Sequence, residues 1–415
     1  NQFFNCTFIG DETDIIYNCE TRKAGSPWQR VDSFGLDQSG KTTKWKSRGD
    51  QRYRGWSRRS LDQDPVVGRT YRNRIVRYWL YLLGHPASEN EFVKIIIDGG
   101  SPFLRESAET IANDFLKRNW KDGEKGELYR IDDEWWFSDS WSRVHRNADW
   151  SYKTGEPERY HAEWMKRSRE NEYDYSSFVQ FLEAINDTRF PREIMERMVD
   201  VDMMAANAVV RGWVDDWDNL TRNRGKNGYQ VRRYSDGKWM LIQWDSDLTF
   251  GNSGAPFVGG LVRGFFGTIN ASSAQRTRFF FVKRKFNYYL GEMLDKYTHN
   301  SPRLATWLEL EERASTEYST STSTYQNWNS SRRGRAQTEI GAAFTTTFRV
   351  SGSSSTSADT INLTGSAGYQ VYSVRVVDHP EAVFSFPRET LWSAGGIQLQ
   401  EGVNELTFEA LDFQG

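Results

Sequence analysis

The chain lacks what several common functions require. It has five histidines, none spaced as a zinc site, and no glycine-rich phosphate loop of the Walker type, which excludes a P-loop nucleotidase. No window approaches the roughly 20 continuous apolar residues of a membrane span, so none is expected. A net charge of −2 leaves no global field for duplex DNA or an anionic membrane, and any charged partner must meet a local patch. There are only two cysteines, Cys6 and Cys19. In an exported chain they would close a short loop as a disulfide, and in a reducing compartment they would be two buried thiols. The chain opens on Asn1 without a basic and apolar leader, which reads as a processed or trimmed product.

What is present divides into two parts. At 415 residues a large domain with a smaller appendage is expected. Residues 1 to about 65 read as short strands and turns. From Tyr71 to Leu83 the apolar residues Ile75, Val76, Trp79, Leu80 and Leu83 recur at helical spacing. A β-branched strand, Phe92 to Ile97, follows, and then a helix from about Ser107 to Arg118. Further helices are expected over Tyr175 to Ile185, Arg192 to Val210, Phe279 to Leu294, around Leu304 to Glu317 and within Asn327 to Ile340. Asp236-Gly237 between two β-prone runs predicts a hairpin from Tyr229 to Trp244. The tail alternates in short strands with glycine turns, as in a β-sandwich, and an incomplete module is one expectation at Gly415.

Two acidic turns flank that hairpin: Trp213-Val214-Asp215-Asp216-Trp217-Asp218, running on to Asn223, and Trp244-Asp245-Ser246-Asp247-Leu248-Thr249-Phe250-Gly251. Phosphoryl transfer needs a carboxylate near the attacking hydroxyl, and an amide and a carboxylate holding Mg²⁺ on the phosphates. Asp218 and Asn223 stand five apart, and the hairpin brings its two mouths together. Taken alone, such a pair also reads as a solvated acidic turn, and Ca²⁺ is an alternative cation.

The run from about Asn207 to Asn252, with its Trp-Asp segment, Asn227-Gly228-Tyr229 and Trp-Asp-x-Asp-x-Thr-Phe-Gly, resembles the core signature of the CotH kinase family. Weaker similarity reaches back through Tyr173 to Phe178, Gly126 to Arg130 and Arg48-Gly49-Asp50. The resemblance implies an α+β fold: a divergent, protein-kinase-like two-lobe domain over 1–345, with a β-rich segment at 1–40. A Ser/Thr-rich linker at 346–357 and an Ig-like β module at 358–415 complete it. It implies Asp218 as the catalytic-loop acid, Asn223 as an amide ligand, and Asp245 with Asp247 beside it as ligands of Mg²⁺ or Mn²⁺ on ATP. The family's usual Arg-Gly-Asn-Ser and Lys-Lys-Ser-Phe stretches are replaced by Arg48-Gly49-Asp50-Gln51 and Arg58-Arg59-Ser60-Leu61. Arg48, Arg58 and Arg59 are therefore expected at the phosphates, and Glu109 as the acid that orients the arginine.

By that similarity the chain is expected to be secreted or at a cell surface, with Cys6 bonded to Cys19, acting on a protein or glycan hydroxyl. The arginine substitutions keep a second reading open, a pseudokinase or adhesive surface protein whose β module meets itself or other surfaces. The basic, Trp- and Tyr-bearing run from Lys41 to Arg77 supplies a third, a polyanion-binding module.

Overall fold

The computed structural model describes residues 3–24, 42–62, 70–131, 134–137, 143–146, 148–153, 155–161, 163–187, 192–267, 279–298, 301–314, 323–352 and 355–412. The expectations for residues 25–41, 63–69 and 315–322 lie outside them.

As expected, no long helix occurs among the described residues before 63. Strands β1 (Phe4–Gly10), β2 (Asp14–Lys23), β3 (Thr43–Lys46) and β4 (Arg58–Asp62) join β5 (Asn90–Ile95) and β6 (Phe103–Glu109) in an antiparallel sheet of order β1-β2-β3-β4-β6-β5. The periodic run forms helix α1 (Thr70–Leu82), with Ile75, Val76, Trp79 and Leu80 buried. The helix expected from Ser107 is shorter: Ser107 to Glu109 finish β6, paired to β4, and α2 spans only Asn113–Asn119. The ladder satisfies backbone groups that a helix would otherwise have taken up. Cys6 and Cys19 are direct cross-strand partners in β1 and β2. Against the expected disulfide, both are free thiols; burial pushes Cys6 up to about 11.

A second sheet, order β10-β7-β11-β12, holds the predicted hairpin as β11 (Gly228–Arg232) and β12 (Trp239–Gln243), beside β7 (Glu127–Ile131) and β10 (Trp164–Lys166). A separate pair, β8 (Glu134–Phe137) and β9 (Arg143–Arg146), lies between β7 and β10 in sequence. Helix α3 (Ser176–Asn186) follows. The single helix expected over Arg192 to Val210 is broken into α4 (Arg192–Met198) and α5 (Val201–Trp213). Val199 bridges to Trp239, and the Asp200 side chain caps α5 through the Met203 amide, 3.0 Å away. A short α6 (Arg263–Phe266), then α7 (Phe280–Glu292), a π-turn at Met293–Tyr297, α8 (Pro302–Ala314), α9 (Ser323–Ile340) and α10 (Ala342–Thr345) complete this part. No helix among the described residues is long and apolar enough to cross a membrane.

The tail forms two small sheets: β13 (Arg349–Ser351), β14 (Thr360–Ser366), β17 (Leu391–Gln398) and β16 (Val383–Arg388) in one, and β15 (Ser373–Val376) with β18 (Phe408–Leu411) in the other. Trp392, Phe386, Val374 and Val376 fill a core between them. The boundary differs from the expected 358, because Arg349 to Ser351, inside the Ser/Thr-rich stretch, already pairs with β14. The module also docks closely on α7. Arg284 sits 3.3 Å over the Phe386 ring and donates to the carbonyls of Glu389 and Gly368 at 2.6 and 3.1 Å. Tyr372 bonds to Asp202 and Lys285, and the Tyr369 hydroxyl to Asp295 at 2.5 Å.

Candidate functional site

The two acidic turns meet because their backbones are zipped together. The Trp217 amide donates to Leu248 O at 3.0 Å, and the Phe250 amide to Val214 O at 2.6 Å. Two of the three aspartates in the first turn are consumed in holding this geometry. Asp215 takes the Arg222 guanidinium at 2.6 Å and the Asn252 amide at 2.9 Å. Asp216, fully buried, takes Arg211 Nε at 2.7 Å and the Ser246 hydroxyl at 2.8 Å. Burial pushes Asp216 above the usual carboxylate range, while Arg211 and these hydrogen bonds oppose the shift. Gly259 seals the assembly: its amide donates to Thr221 O at 2.8 Å, and a Cβ there would lie 1.4 Å from Arg222 O.

Asp218 is the third carboxylate, 4% exposed. Lys226 Nζ lies 2.9 Å from its Oδ2 and the Asn227 side chain donates to the same oxygen at 3.3 Å. Its Oδ1 accepts no hydrogen bond among the described residues, though Arg224 Nε is 3.4 Å away. Asp245 sits in a left-handed conformation, φ 49°, at the exit of β12. Among the described residues its carboxylate accepts no hydrogen bond. Burial and then the Asp247 carboxylate push Asp245 well above the ordinary carboxylate range. Lys226 opposes this, and the Asp218 and Asp216 charges add to it.

The sheet supplies the opposite side. Lys44 pairs with Ser60, which pairs with Ala108, and Asp62 pairs with Glu106, so Lys44, Asp62 and Glu106 share one face. Lys44 Nζ lies 5.8 Å from the Trp244 ring centroid and makes no hydrogen bond or ion pair among the described residues. Burial, then the Arg130 charge, brings it down to about 8, against the pull of Asp62. Burial, then the Asp245 and Glu106 carboxylates, pushes Asp62 up to about 7. Asn73 of α1 ties the two sides together, donating to Glu106 at 3.2 Å and accepting from the Ser246 amide at 2.6 Å.

The sign of the resulting pH dependence follows from Asp62. Its folded-state pKa, about 7, lies above the ordinary 3.8, so between these values the folded chain holds a proton that the unfolded chain has lost. The ionisation penalty is absent below this window and complete above it. Asp62→Asn is expected to raise the thermal midpoint at about pH 8 and to change it little near pH 4. Equal changes at both pH values in a melting series would contradict the placement of Asp62 among these carboxylates.

The sequence model of the CotH kinase protein family matches residues 30–332, nearly three quarters of the chain. The chain belongs to the CotH kinase family. No curated protein matches it.

Of the residues the CotH resemblance marked, Asp218 and Asp247 lie near enough for their charges to act on Asp245, and the Asp247 carbonyl takes Arg72 Nη1 at 2.9 Å. Asn223 is exposed, and its side chain makes no hydrogen bond to Asp218 or Asp245 among the described residues; Asn227 holds Asp218 instead. Arg48 is exposed in the turn after β3. Arg58 stands on the Lys44 face but is exposed. Arg59 does not point toward Asp245. It pairs with Trp45 and Glu109 on the opposite face, donates to Ser107 O at 2.6 Å and stacks 3.9 Å from the Trp56 ring centroid. Strand alternation decides this, since Arg59 is one residue out of phase with Ser60 and Asp62. Glu109 neighbours Arg59 in the ladder, but its carboxylate pairs with Arg118 at 2.5 Å. The basic run is likewise divided between faces: Lys46 pairs with Glu20, Arg52 with Asp114, Arg54 with Asp11 and Arg77 with Glu106.

Sequence reasoning passed over Asp62 and Lys226, took Lys44 only as part of the basic run and Asn227 only as part of the Asn-Gly-Tyr signature. Lys44 alternates with the buried Thr43 and Trp45, a signal that assigns its face but not what that face meets.

Proposed function

We propose that this CotH-family chain binds ATP with Mg²⁺ or Mn²⁺ between the Lys44–Asp62 face and the Asp245 turn, and transfers the terminal phosphoryl group to a protein or glycan hydroxyl. The observation that carries this is the Lys44 ammonium over Trp244, with no hydrogen bond or ion pair among the described residues, beside an Asp245 carboxylate that is crowded by acids and accepts no hydrogen bond among them. No three His, Cys, Asp or Glu side chains converge as a metal cage among the described residues. That fits Mg²⁺, which is usually held by one or two carboxylates together with substrate phosphates and water. Asp245 and Asp247 would be its protein ligands, and the cation would neutralise the phosphates. Lys44 supplies the positive charge from the sheet, in place of the arginines expected there. Asp218 Oδ1 is directed by Lys226 and Asn227 and can accept the proton of the attacking hydroxyl as that oxygen bonds to phosphorus.

Export to a cell surface is proposed on family likeness alone, as is an Ig-like role in display for the C-terminal module. A second reading, a nucleotide-binding pseudokinase, is favoured by the exposed Asn223, an expected amide ligand that makes no hydrogen bond to Asp218 or Asp245 among the described residues.

The test is calorimetric titration of ATP at millimolar Mg²⁺. Wild type is expected to bind, and Asp245→Asn and Lys44→Met each to weaken binding by about tenfold or more, as for a lost charge-assisted contact. Unchanged affinity in both variants, or no binding by wild type, sinks the proposal.

A further inference from the structure

A cavity of about 740 Å³ lies away from the acidic turns, between the outer side of α1, the segment Gly84 to Glu91 and the end of α2. Its size is that of a small-molecule site. Two aromatic walls flank it: Trp56 on one side and, on the other, Tyr78 stacked on Trp307 at 4.5 Å and 6° between planes. Four arginines and two glutamates line it, a net positive surface. Five buried polar atoms on its walls have no hydrogen-bond partner among the described residues: Arg59 Nη1, Arg77 Nε and Nη2, Ser88 Oγ and Glu91 Oε1. Buried polar groups are normally paired, so the three guanidinium nitrogens and the Ser88 hydroxyl in one cavity wall mark donors awaiting an acceptor, while Glu91 Oε1 can only accept. Three of the five belong to guanidinium groups, which match planar oxyanions.

We infer that this cavity binds a small organic oxyanion, a carboxylate or phosphate carried on a flat ring. The oxyanion takes the Arg59 and Arg77 donors, and the ring lies between Trp56 and the Tyr78–Trp307 pair. The Glu91 carboxylate, 3.6 Å from Arg59, turns away a dianion that lacks a ring to offset it. Arg77 also donates to Glu106, so the ligand site abuts the sheet face that carries Asp62 without sharing a residue with the acidic turns.

The test titrates phenyl phosphate, benzoate and inorganic phosphate separately into the intact chain by calorimetry. Saturable binding is expected for at least one ring-bearing probe and much weaker heat for inorganic phosphate; the two ring probes show which oxyanion is preferred. Trp56→Ala and Arg59→Met are each expected to weaken it about tenfold. Lys44→Met, on the sheet face opposite the acidic turns, should leave it unchanged. Since Arg59 is buried, Trp56→Ala decides the matter if Arg59→Met does not fold. Absence of saturable binding, indifference to Trp56→Ala, or loss in Lys44→Met overturns the assignment.

Discussion

In Asp218→Asn, phosphoryl transfer is expected to fall by roughly 10²- to 10⁴-fold, the range that positioned general bases contribute, while ATP binding stays near the wild-type value. The asparagine can keep a hydrogen bond to its neighbours but cannot take a proton from an attacking hydroxyl. Binding is expected to survive because the proposed cation ligands are Asp245 and Asp247, not Asp218. Pre-steady-state turnover of ATP with and without an acceptor, alongside calorimetry, separates these quantities. If binding and transfer fell together, Asp218 would belong to the nucleotide site. If neither fell, Asp218 would be a structural partner of Lys226 and another group would have to take the proton; a wild type that binds ATP and transfers nothing would favour the pseudokinase reading.

The largest stability effect is expected from Arg332→Met, a loss of about 3–5 kcal/mol, as for breaking a buried charged network. Arg332 is fully buried in α9, and it serves neither turn directly. Its guanidinium donates to Gly212 O at 2.6 Å, Trp213 O at 3.1 Å, Ser253 O at 2.7 Å and Ala255 O at 2.6 Å, and lies 4.1 Å from the Phe257 ring centroid. These carbonyls belong to the end of α5, just before the first acidic turn, and to the segment just after the second. Burial brings Arg332 down to about 9, which still leaves it charged at neutral pH. Methionine fills most of the volume but leaves the carbonyls of Gly212, Ser253 and Ala255 without this donor; Trp213 O keeps the Trp328 indole at 2.8 Å. Urea unfolding measures the loss, and a change under about 1 kcal/mol would mean that water replaces the arginine.

Elements with strong local signals were legible in the sequence. The Asp236-Gly237 hairpin and the apolar stripe of α1 depend on turn chemistry and periodicity within a few residues, and both formed where expected. The helices that failed did so through distant partners: Ser107 to Glu109 were claimed by the β4 ladder, and Asp200 capped a new helix where one continuous run was expected. In the site, Asp218 and Asp245 were legible because each sits in a motif at a hairpin mouth. The cation was not, since choosing Lys44 over Arg59 requires knowing which face of a short strand meets Trp244. Arg332 was invisible for a similar reason. It sits in a polar, Arg-rich helix, and only the assembled fold reveals five carbonyl and ring contacts around it.

The docking of the C-terminal sheets on α7 also sets a path for mechanical load. A pull on β16 or β17 passes through the Arg284 clamp on Phe386, Gly368 and Glu389 into α7. From there the Lys285 and Tyr372 contacts to Asp202 carry it to the start of α5, the helix that ends at the first acidic turn. Tension applied to the module is therefore carried into the same helix that leads to the turn of Asp218.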